Sequence, residues 1–255
     1  VLRKYYHSEL CFDPDGNLIE HYQSLKQGCA VASYLADVVL FHIDKALSNS
    51  CFSYYVRYSD DILFISSVYK RGMRILEREL EKMEMKLNPK KVEILYKDRW
   101  FKFLGFTIKG SQISLSKSRV KDFQKQIEAR TIKDKYTITK TKAINSVNRY
   151  LYKGDGKYSW ATSVLPIINV EKDIDTLNEF VMDCIRAVET RKMEVGGLGC
   201  VTDKEDHTIL RGTGKNVKAN RMKIKKEITG YKSIRCMQHA LNYSRPLYET
   251  LVREM

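Results

Sequence analysis

The stretch "YYVRYSDDILFIS" occupies residues 54–66 and places two adjacent carboxylates, Asp60 and Asp61, between runs of aromatic and β-branched residues. Such runs are typical of buried strands, and a polar break between them predicts a β-hairpin with the acids at its tip. A buried carboxylate without a partner is costly, and two neighbouring carboxylates also repel each other. We therefore expect either a solvated turn or a cation bound by the pair.

Composition indicates the kind of partner, the redox environment and the absence of a membrane-spanning segment. Its 255 residues carry a formal net charge of +14, which favours a polyanion such as nucleic acid, although solubility can account for part of the surplus. The six cysteines lack a CxxC pair and zinc spacing, so we expect free thiols in a reducing cytoplasm. The longest apolar stretch, residues 29–43, contains Asp37 and His42 and is too short and too polar to span a membrane.

The pattern before residue 90 predicts a turn, a buried helix and an amphipathic helix. Residues 13–17 ("DPDGN") form a strong turn signal. From Ala30 onward, apolar residues recur at helical spacing and predict a mostly buried helix. Residues 73–85 predict an amphipathic helix, which we expect Pro89 to stop.

Strand signals then give way to helix signals. Residues 92–97, 100–110 and 112–116 have strand-like composition, and Gly105 predicts a bulge or a close backbone approach. The later segments are helical in pattern, so we place a domain boundary near residues 112–118. A basic stretch, residues 211–235, follows the helices and has the composition of either a solvated surface or a nucleic-acid contact.

Two carboxylates on a hairpin tip offer the oxygen ligands that hard divalent cations prefer. Two such ions about 4 Å apart can activate an attacking 3′ oxygen and stabilise a leaving pyrophosphate. An Asp-Asp pair alone is a weak signal, because it is more often a solvated turn, and its surroundings must decide.

Four motifs in order give those surroundings. "YVRYSDDILFIS" fits the Tyr-x-Asp-Asp motif of reverse transcriptases. Before it, "KQGCAVASYLADVVLFHID" (26–44) resembles the Gln-Gly motif of the same family. After it, "LNPKKVEIL" (87–95) resembles the Leu-Asn-x-x-Lys segment, and "FKFLGFTI" (101–108) resembles the primer-grip strand pair. The order makes the resemblance much more specific than any single motif.

The resemblance implies roles at the hairpin and near the Gln-Gly motif. Asp60 and Asp61 would be catalytic ligands of Mg²⁺ or Mn²⁺, and Asp60 is the firmer assignment. Tyr58 would pack beneath the primer end. Gln27 and Gly28 would lie at the nucleotide and the template strand, where glycine permits close approach of the backbone.

Further roles fall on the two later motifs. Lys91 occupies the position that protonates the leaving pyrophosphate, and Lys90 is an alternative one residue away. Phe103, Leu104 and Gly105 would form the primer grip. Taken singly, each of these residues has an ordinary structural explanation as surface charge or core strand.

Departures from the family pattern indicate a subtype and show that one carboxylate required by the family is missing. Lys26 replaces the usual Pro, Asp37 the usual Asn and Val92 the usual Thr, which favours the diverse bacterial enzymes of retroelements, CRISPR systems and phage defence. The family also requires a third carboxylate. Asp13 and Asp15 lie in a turn too close to the Gln-Gly motif, so we expect an N-terminal segment before Val1, or a partner chain, to supply it.

The resemblance implies an α+β fold, a right-hand palm with an antiparallel sheet and a Tyr-x-Asp-Asp hairpin packed on helices, followed by a helical thumb. We expect a partial palm at 1–115, the thumb at 116–190 and a basic C-terminal extension at 191–255. The expected partners are an RNA template, a DNA primer or product, and dNTPs. The alternatives are a non-catalytic RNA- or DNA-binding subunit of the same descent and a basic structural protein with a chance Asp-Asp pair.

Overall fold

The computed structural model describes residues 12, 15–18, 31–50, 54–96, 98–132, 138–153, 159–190, 195–200, 208–212 and 228–254. The chain divides into two compact units, Val1–Glu93 and Ile94–Met255. The first unit therefore ends before the boundary expected near residues 112–118. Strands between residues 101 and 115 belong with the later helices, because Phe106 and Leu115 lie in the same core as those helices.

The first unit contains two helices and a hairpin. Before them, Phe12 and Leu18 form an isolated antiparallel bridge around the turn at Gly16, where the sequence predicts a turn. The elements are α1 (Ala32–Ser48), β1 (Tyr54–Tyr58), β2 (Asp61–Ile65), α2 (Tyr69–Glu81) and a 3₁₀ turn (Pro89–Lys91).

The core of this unit is small and lies between the two helices and one face of the hairpin. Its buried members are Ile43 and Leu47 of α1 and Leu76 and Leu80 of α2. The prediction that α1 is mostly buried is wrong, because only the stripe that faces α2 is covered. Val31, Val38, Val39 and Phe41 are exposed.

The end of α2 also differs from the prediction. The helix stops at Glu81, well before Pro89, and Glu84 adopts a positive φ of 57°. The amide of Met85 donates to the carbonyl of Leu80 at 2.9 Å, which is the closing bond of a Schellman turn. Residues 92–96, expected as a strand, form none, and Ile94 and Tyr96 are exposed.

The second unit combines a small antiparallel sheet, a helical bundle and a short second sheet. The first sheet has the order β3-β4-β5. The segments around 117–131, 140–153 and 171–190 are helical, as the sequence predicts. The elements are β3 (Phe101–Phe103), β4 (Phe106–Lys109), β5 (Gln112–Leu115), α3 (Lys117–Thr131), α4 (Lys140–Asn148), a π-helical turn (Arg149–Lys153), α5 (Trp160–Ser163), α6 (Glu171–Thr190), β6 (Leu198–Cys200), β7 (Ile209–Arg211), α7 (Ile234–Tyr243) and α8 (Arg245–Arg253).

One core joins the helices of this unit to the region expected as a C-terminal extension. Ile234, Met237 and Tyr248 are buried in the same cluster as Phe123 and Phe180. The described part of residues 191–255 is therefore packed into the helical unit and does not extend from it. Most of the basic stretch 211–235 lies outside the described residues.

A buried amide fixes the start of α7. The side-chain oxygen of Asn178 on α6 accepts hydrogen bonds from Tyr231 Oη at 3.0 Å, Ser233 Oγ at 3.1 Å and the amide of Ile234 at 3.1 Å. Asn148 holds the same segment, donating to the Gly230 carbonyl at 2.7 Å. These bonds satisfy backbone groups that burial would otherwise leave unpaired.

Two expectations concern membranes and thiols. In the described part of the chain, no helix has the length and apolarity needed to cross a bilayer. Cys184, Cys200 and Cys236 are free thiols. The other three cysteines fall outside the described residues.

Candidate active site

The tip of the β1–β2 hairpin carries the two carboxylates. Tyr58 pairs with Asp61 as the last residues of the ladder, so Ser59 and Asp60 form a two-residue connection. Ser59 has a positive φ of 55°, a conformation that costs an L-residue about 1–2 kcal/mol. Positive φ at the first position of a two-residue hairpin loop is a feature of type I′ and II′ turns, where glycine or asparagine is the usual residue.

Both carboxylates are exposed. The expectation that they interrupt a buried strand is wrong, because the hairpin is only half-buried and its tip lies in solvent. Among the described residues, neither Asp60 nor Asp61 has a cationic side chain within ion-pair distance. Their oxygens are therefore accessible to a cation from solution.

The two faces of the hairpin differ in chemistry. Side chains alternate along a strand, so Tyr55 and Arg57 share the face that packs toward α1, together with their cross-strand partners Phe64 and Ile62. Tyr58 and Asp61 lie on the opposite face. Tyr58 is 64% exposed there, beside the acids, where an aromatic side chain could contact a ligand.

Arg57 anchors the hairpin to α1, and its side chain is only 8% exposed. Its Nε and Nη2 donate to the two carboxylate oxygens of Asp44 at 2.8 and 2.7 Å. Its Nη1 donates to Asp37 Oδ1 at 2.8 Å and to the carbonyl of Ser59 at 2.9 Å. The same side chain therefore binds the helix and the turn that precedes Asp60.

Asp44, Tyr55 and Arg57 shift one another's pKa values through their hydrogen bonds. The Arg57 guanidinium holds the pKa of the Asp44 carboxyl below its usual value, opposed by burial and helped by a hydrogen bond from Tyr55. Burial and the bond to Asp44 raise the pKa of Tyr55. The bond to Asp44 likewise raises the pKa of Arg57, so the guanidinium stays charged.

Sequence reasoning assigned no role to Arg57, Asp44 or Tyr55. The partners of Arg57 lie 13 and 20 residues before it, in α1. One signal could have found them: Asp37 and Asp44 are seven residues apart on a predicted helix, hence on the same face.

Lys90 and Lys91 lie in the 3₁₀ turn that Asn88 caps, accepting from the amide of Lys90 at 3.1 Å. Both lysines are exposed. Gln27 and Gly28 fall outside the described residues. The first unit thus gathers Tyr58, Asp60 and Asp61 on a single hairpin and places Lys91 on a separate turn.

The second unit holds Phe103, Leu104 and Gly105 at the tip of the β3–β4 hairpin. Leu104 and Gly105 have φ values of 49° and 79°, which is the type I′ pattern. Gly105 is therefore a turn residue where a bulge was one expectation. The atoms that approach Gly105 closely belong to the Arg119 side chain and not to backbone, and a Cβ at residue 105 would collide with them. The Arg119 guanidinium lies 4.4 Å from the centre of the Phe106 ring.

Whether these residues suit a metal depends on their donor atoms. Asp60 and Asp61 offer hard carboxylate oxygens, which suit Mg²⁺ or Mn²⁺. Two side chains fill only part of such a coordination sphere. No group of three or more His, Cys, Asp or Glu side chains that could hold a metal occurs among the described residues.

Comparison with known proteins gives one match. Residues 1–108 match the family model described as reverse transcriptase (RNA-dependent DNA polymerase). Neither the curated proteins nor the solved structures contain a match to the chain. The matched segment includes the β1–β2 hairpin and the β3–β4 hairpin as far as Ile108. Residues 1–108 are therefore similar to the reverse transcriptase domain of RNA-dependent DNA polymerases.

Proposed function

We propose that the chain is part of an RNA-directed DNA polymerase in which Asp60 and Asp61 hold the catalytic metal ions. One observation supports this most: two adjacent carboxylates are exposed at a hairpin tip with no cationic partner among the described residues, although Arg57 lies in the same hairpin. Mg²⁺ or Mn²⁺, when bound, supplies charge neutralisation for nucleotidyl transfer to a 3′ hydroxyl.

The chain's own residues orient the reactants around that site. Asp60 is the main metal ligand, and Asp61 supports it. The exposed ring of Tyr58 packs beneath the primer end. Gln27 and Gly28 lie at the nucleotide and the template, and Lys91, or Lys90 in its place, donates a proton to the leaving pyrophosphate.

The second unit contributes residues that contact the primer and the duplex. Phe103, Leu104 and Gly105 contact the primer, as in the family. Lys142, Arg149 and Lys153 are exposed and recur on one side of α4 and the π-helical turn. A row of cations at that spacing can follow the phosphates of a duplex without reading its bases, as a thumb does. Residues 1–115 would then be the partial palm and 116–190 the thumb.

The third carboxylate that the resemblance implies would come from residues outside the described ones or from a partner chain. The RNA template, the DNA primer or product, and dNTPs are the remaining partners. Lys26, Asp37 and Val92, which depart from the common family pattern, favour a bacterial retroelement or antiphage-defence enzyme acting in the cytoplasm.

Primer extension tests this proposal. The full-length protein is given an RNA template, a DNA primer and dNTPs with Mg²⁺ or Mn²⁺. We expect metal-dependent extension that Asp60→Asn abolishes. Asp122→Asn, at an exposed position on α3, is the matched control and should extend the primer at the wild-type rate.

Two results would contradict the proposal. Extension that persists in Asp60→Asn would show that other groups hold the metal. Tight, salt-dependent RNA binding without any extension by the wild-type protein would favour the non-catalytic nucleic-acid-binding subunit.

A further inference from the structure

Arg57 touches the turn that carries Asp60 through a single backbone atom. Its Nη1 donates to the Ser59 carbonyl at 2.9 Å, and that carbonyl belongs to the peptide group linking Ser59 to Asp60. The orientation of this peptide sets the direction in which the Asp60 backbone leaves the turn. A bond to the carbonyl therefore restricts the backbone from which the Asp60 carboxylate projects.

The turn needs such a bond. Ser59 has a φ of 55°, which L-residues other than Asn and Asp seldom adopt. Without an anchor, the peptide could rotate to a turn with ordinary dihedral angles, and Asp60 would move with it. The guanidinium stabilises the uncommon conformation by binding the carbonyl in that conformation.

The guanidinium is itself held rigidly. The bidentate bond to Asp44, at 2.7 and 2.8 Å, and the bond to Asp37 at 2.8 Å leave its plane little freedom. Asp44 is in turn held by Tyr55 Oη at 2.6 Å. A lysine could not reproduce this arrangement, because its single ammonium lacks the fork of donors.

The same bonds prevent Arg57 from competing with a metal. Its positive charge is shared by Asp37 and Asp44, and its side chain lies on the hairpin face toward α1. Asp61 lies on the opposite face. Arg57 can thus position the acidic tip without forming an ion pair with it.

We propose that Arg57 is a positioning residue, which locks the Ser59 turn so that the carboxylate of Asp60 is aimed for metal binding. This inference rests on the proposed function in its second half, that Asp60 binds a divalent cation. Its first half, the locking of the turn, stands on geometry alone and can be measured without a metal.

Amide hydrogen exchange measures how strongly Arg57 restrains the Ser59 turn. In the full-length protein, Arg57→Lys should increase exchange in peptides covering Tyr58–Asp61 by about tenfold, the factor expected when the cost of the Ser59 conformation is no longer offset. Arg74→Lys, at an exposed position on α2, is the matched control and should leave this exchange unchanged. Unchanged exchange in Arg57→Lys would overturn the inference.

The affinity for Mn²⁺ measures whether Asp60 is positioned for metal binding. It is determined from the electron paramagnetic resonance signal of the free ion. We expect Arg57→Lys to weaken binding by about tenfold and Arg74→Lys to leave it at the wild-type value. If Asp60→Asn binds Mn²⁺ as well as the wild type does, the proposed function fails, while the exchange result still decides whether Arg57 locks the turn.

A double variant separates positioning from general support of the fold. Ser59→Gly removes the penalty for positive φ, so Arg57→Lys combined with Ser59→Gly should recover much of the lost Mn²⁺ affinity. A purely structural Arg57, joining α1 to β1, would show no such rescue. If Arg57→Lys does not fold, Asp37→Ala combined with Asp44→Asn removes both carboxylates that hold the guanidinium, and a tip exchange equal to that of the wild type would then overturn the inference.

Discussion

Tyr55 Oη donates to Asp44 Oδ1 at 2.6 Å, and the same oxygen receives the Nε proton of Arg57 at 2.8 Å. Tyr55→Phe removes one donor and leaves the ion pair. We expect a loss of about 1 kcal/mol in the free energy of unfolding, the usual worth of such a bond, measured by urea denaturation. Tyr54→Phe, on the exposed face, is the control. Equal stabilities for the two variants would contradict a role of this bond.

Asp44 should make the first unit sensitive to acid. Because Arg57 lowers the pKa of Asp44 in the folded state, the contribution is present above its unfolded value, 3.8, and disappears as pH falls through the lower folded value. Denaturation at a series of pH values should show this loss below about pH 4. Asp44→Asn should be less stable at neutral pH and should lack this part of the pH dependence.

Gly105 should resist substitution more strongly than Gly110. Both have positive φ, but a Cβ at Gly105 would collide with the Arg119 side chain, whereas one at Gly110 meets nothing within 4 Å. We expect Gly105→Ala to destabilise the second unit by about 2–3 kcal/mol and Gly110→Ala by about 1 kcal/mol, as measured by thermal or chemical unfolding. Equal losses would show that Arg119 moves away freely.

Glu84 is a position where glycine should stabilise. Its φ of 57° closes the turn after α2, a place usually filled by glycine. Glu84→Gly should raise the free energy of unfolding by roughly 0.5–1 kcal/mol. Lys86→Gly, two residues along and without positive φ, should be neutral or destabilising. A loss of stability in Glu84→Gly would show that the Glu84 side chain makes a stabilising contact.

The three thiols among the described residues should react in a defined order. Burial raises the pKa of Cys184 well above its usual range, and burial with help from Asp173 raises the pKa of Cys200 to about 11. Cys236 is exposed. Iodoacetamide attacks the thiolate, so at pH 8 we expect Cys236 to be alkylated first, then Cys200, then Cys184, as read by peptide mass spectrometry. Alkylation of Cys184 as fast as that of Cys236 would show that the α6 core opens readily.

Local patterns predicted the β1–β2 hairpin well and burial poorly. Its strands follow from aromatic and β-branched runs around a short polar break, and the long helices follow from their period. The β3–β4 strand pair was implied only by the resemblance, because the local pattern of residues 100–110 predicts one strand with a bulge or close approach at Gly105. The extent of burial in α1 does not, because an apolar residue at helical spacing is covered only where another element packs on it. Residues 92–96 illustrate the same limit, since strand-like composition without a paired neighbour forms no ladder.

The parts that depend on distant residues could not be predicted. Arg57 meets Asp37 and Asp44 only because the hairpin folds back on α1. The packing of the region after residue 191 is unpredictable for the same reason: its buried residues, such as Ile234 and Met237, join a core whose other members include residues of α3, α6 and the π-helical turn. Metal binding by Asp60 and Asp61 stays a prediction from the motif.

The enclosure of Ile234, Met237 and Tyr248 within the helical core has a consequence for biosynthesis. These side chains leave the ribosome long after Phe106 and Leu115, which belong to the same cluster. The nascent chain must therefore carry an unfinished apolar surface through most of its translation. The complete core can form only after about residue 250 has emerged, and chaperones that bind exposed apolar segments have that interval in which to act.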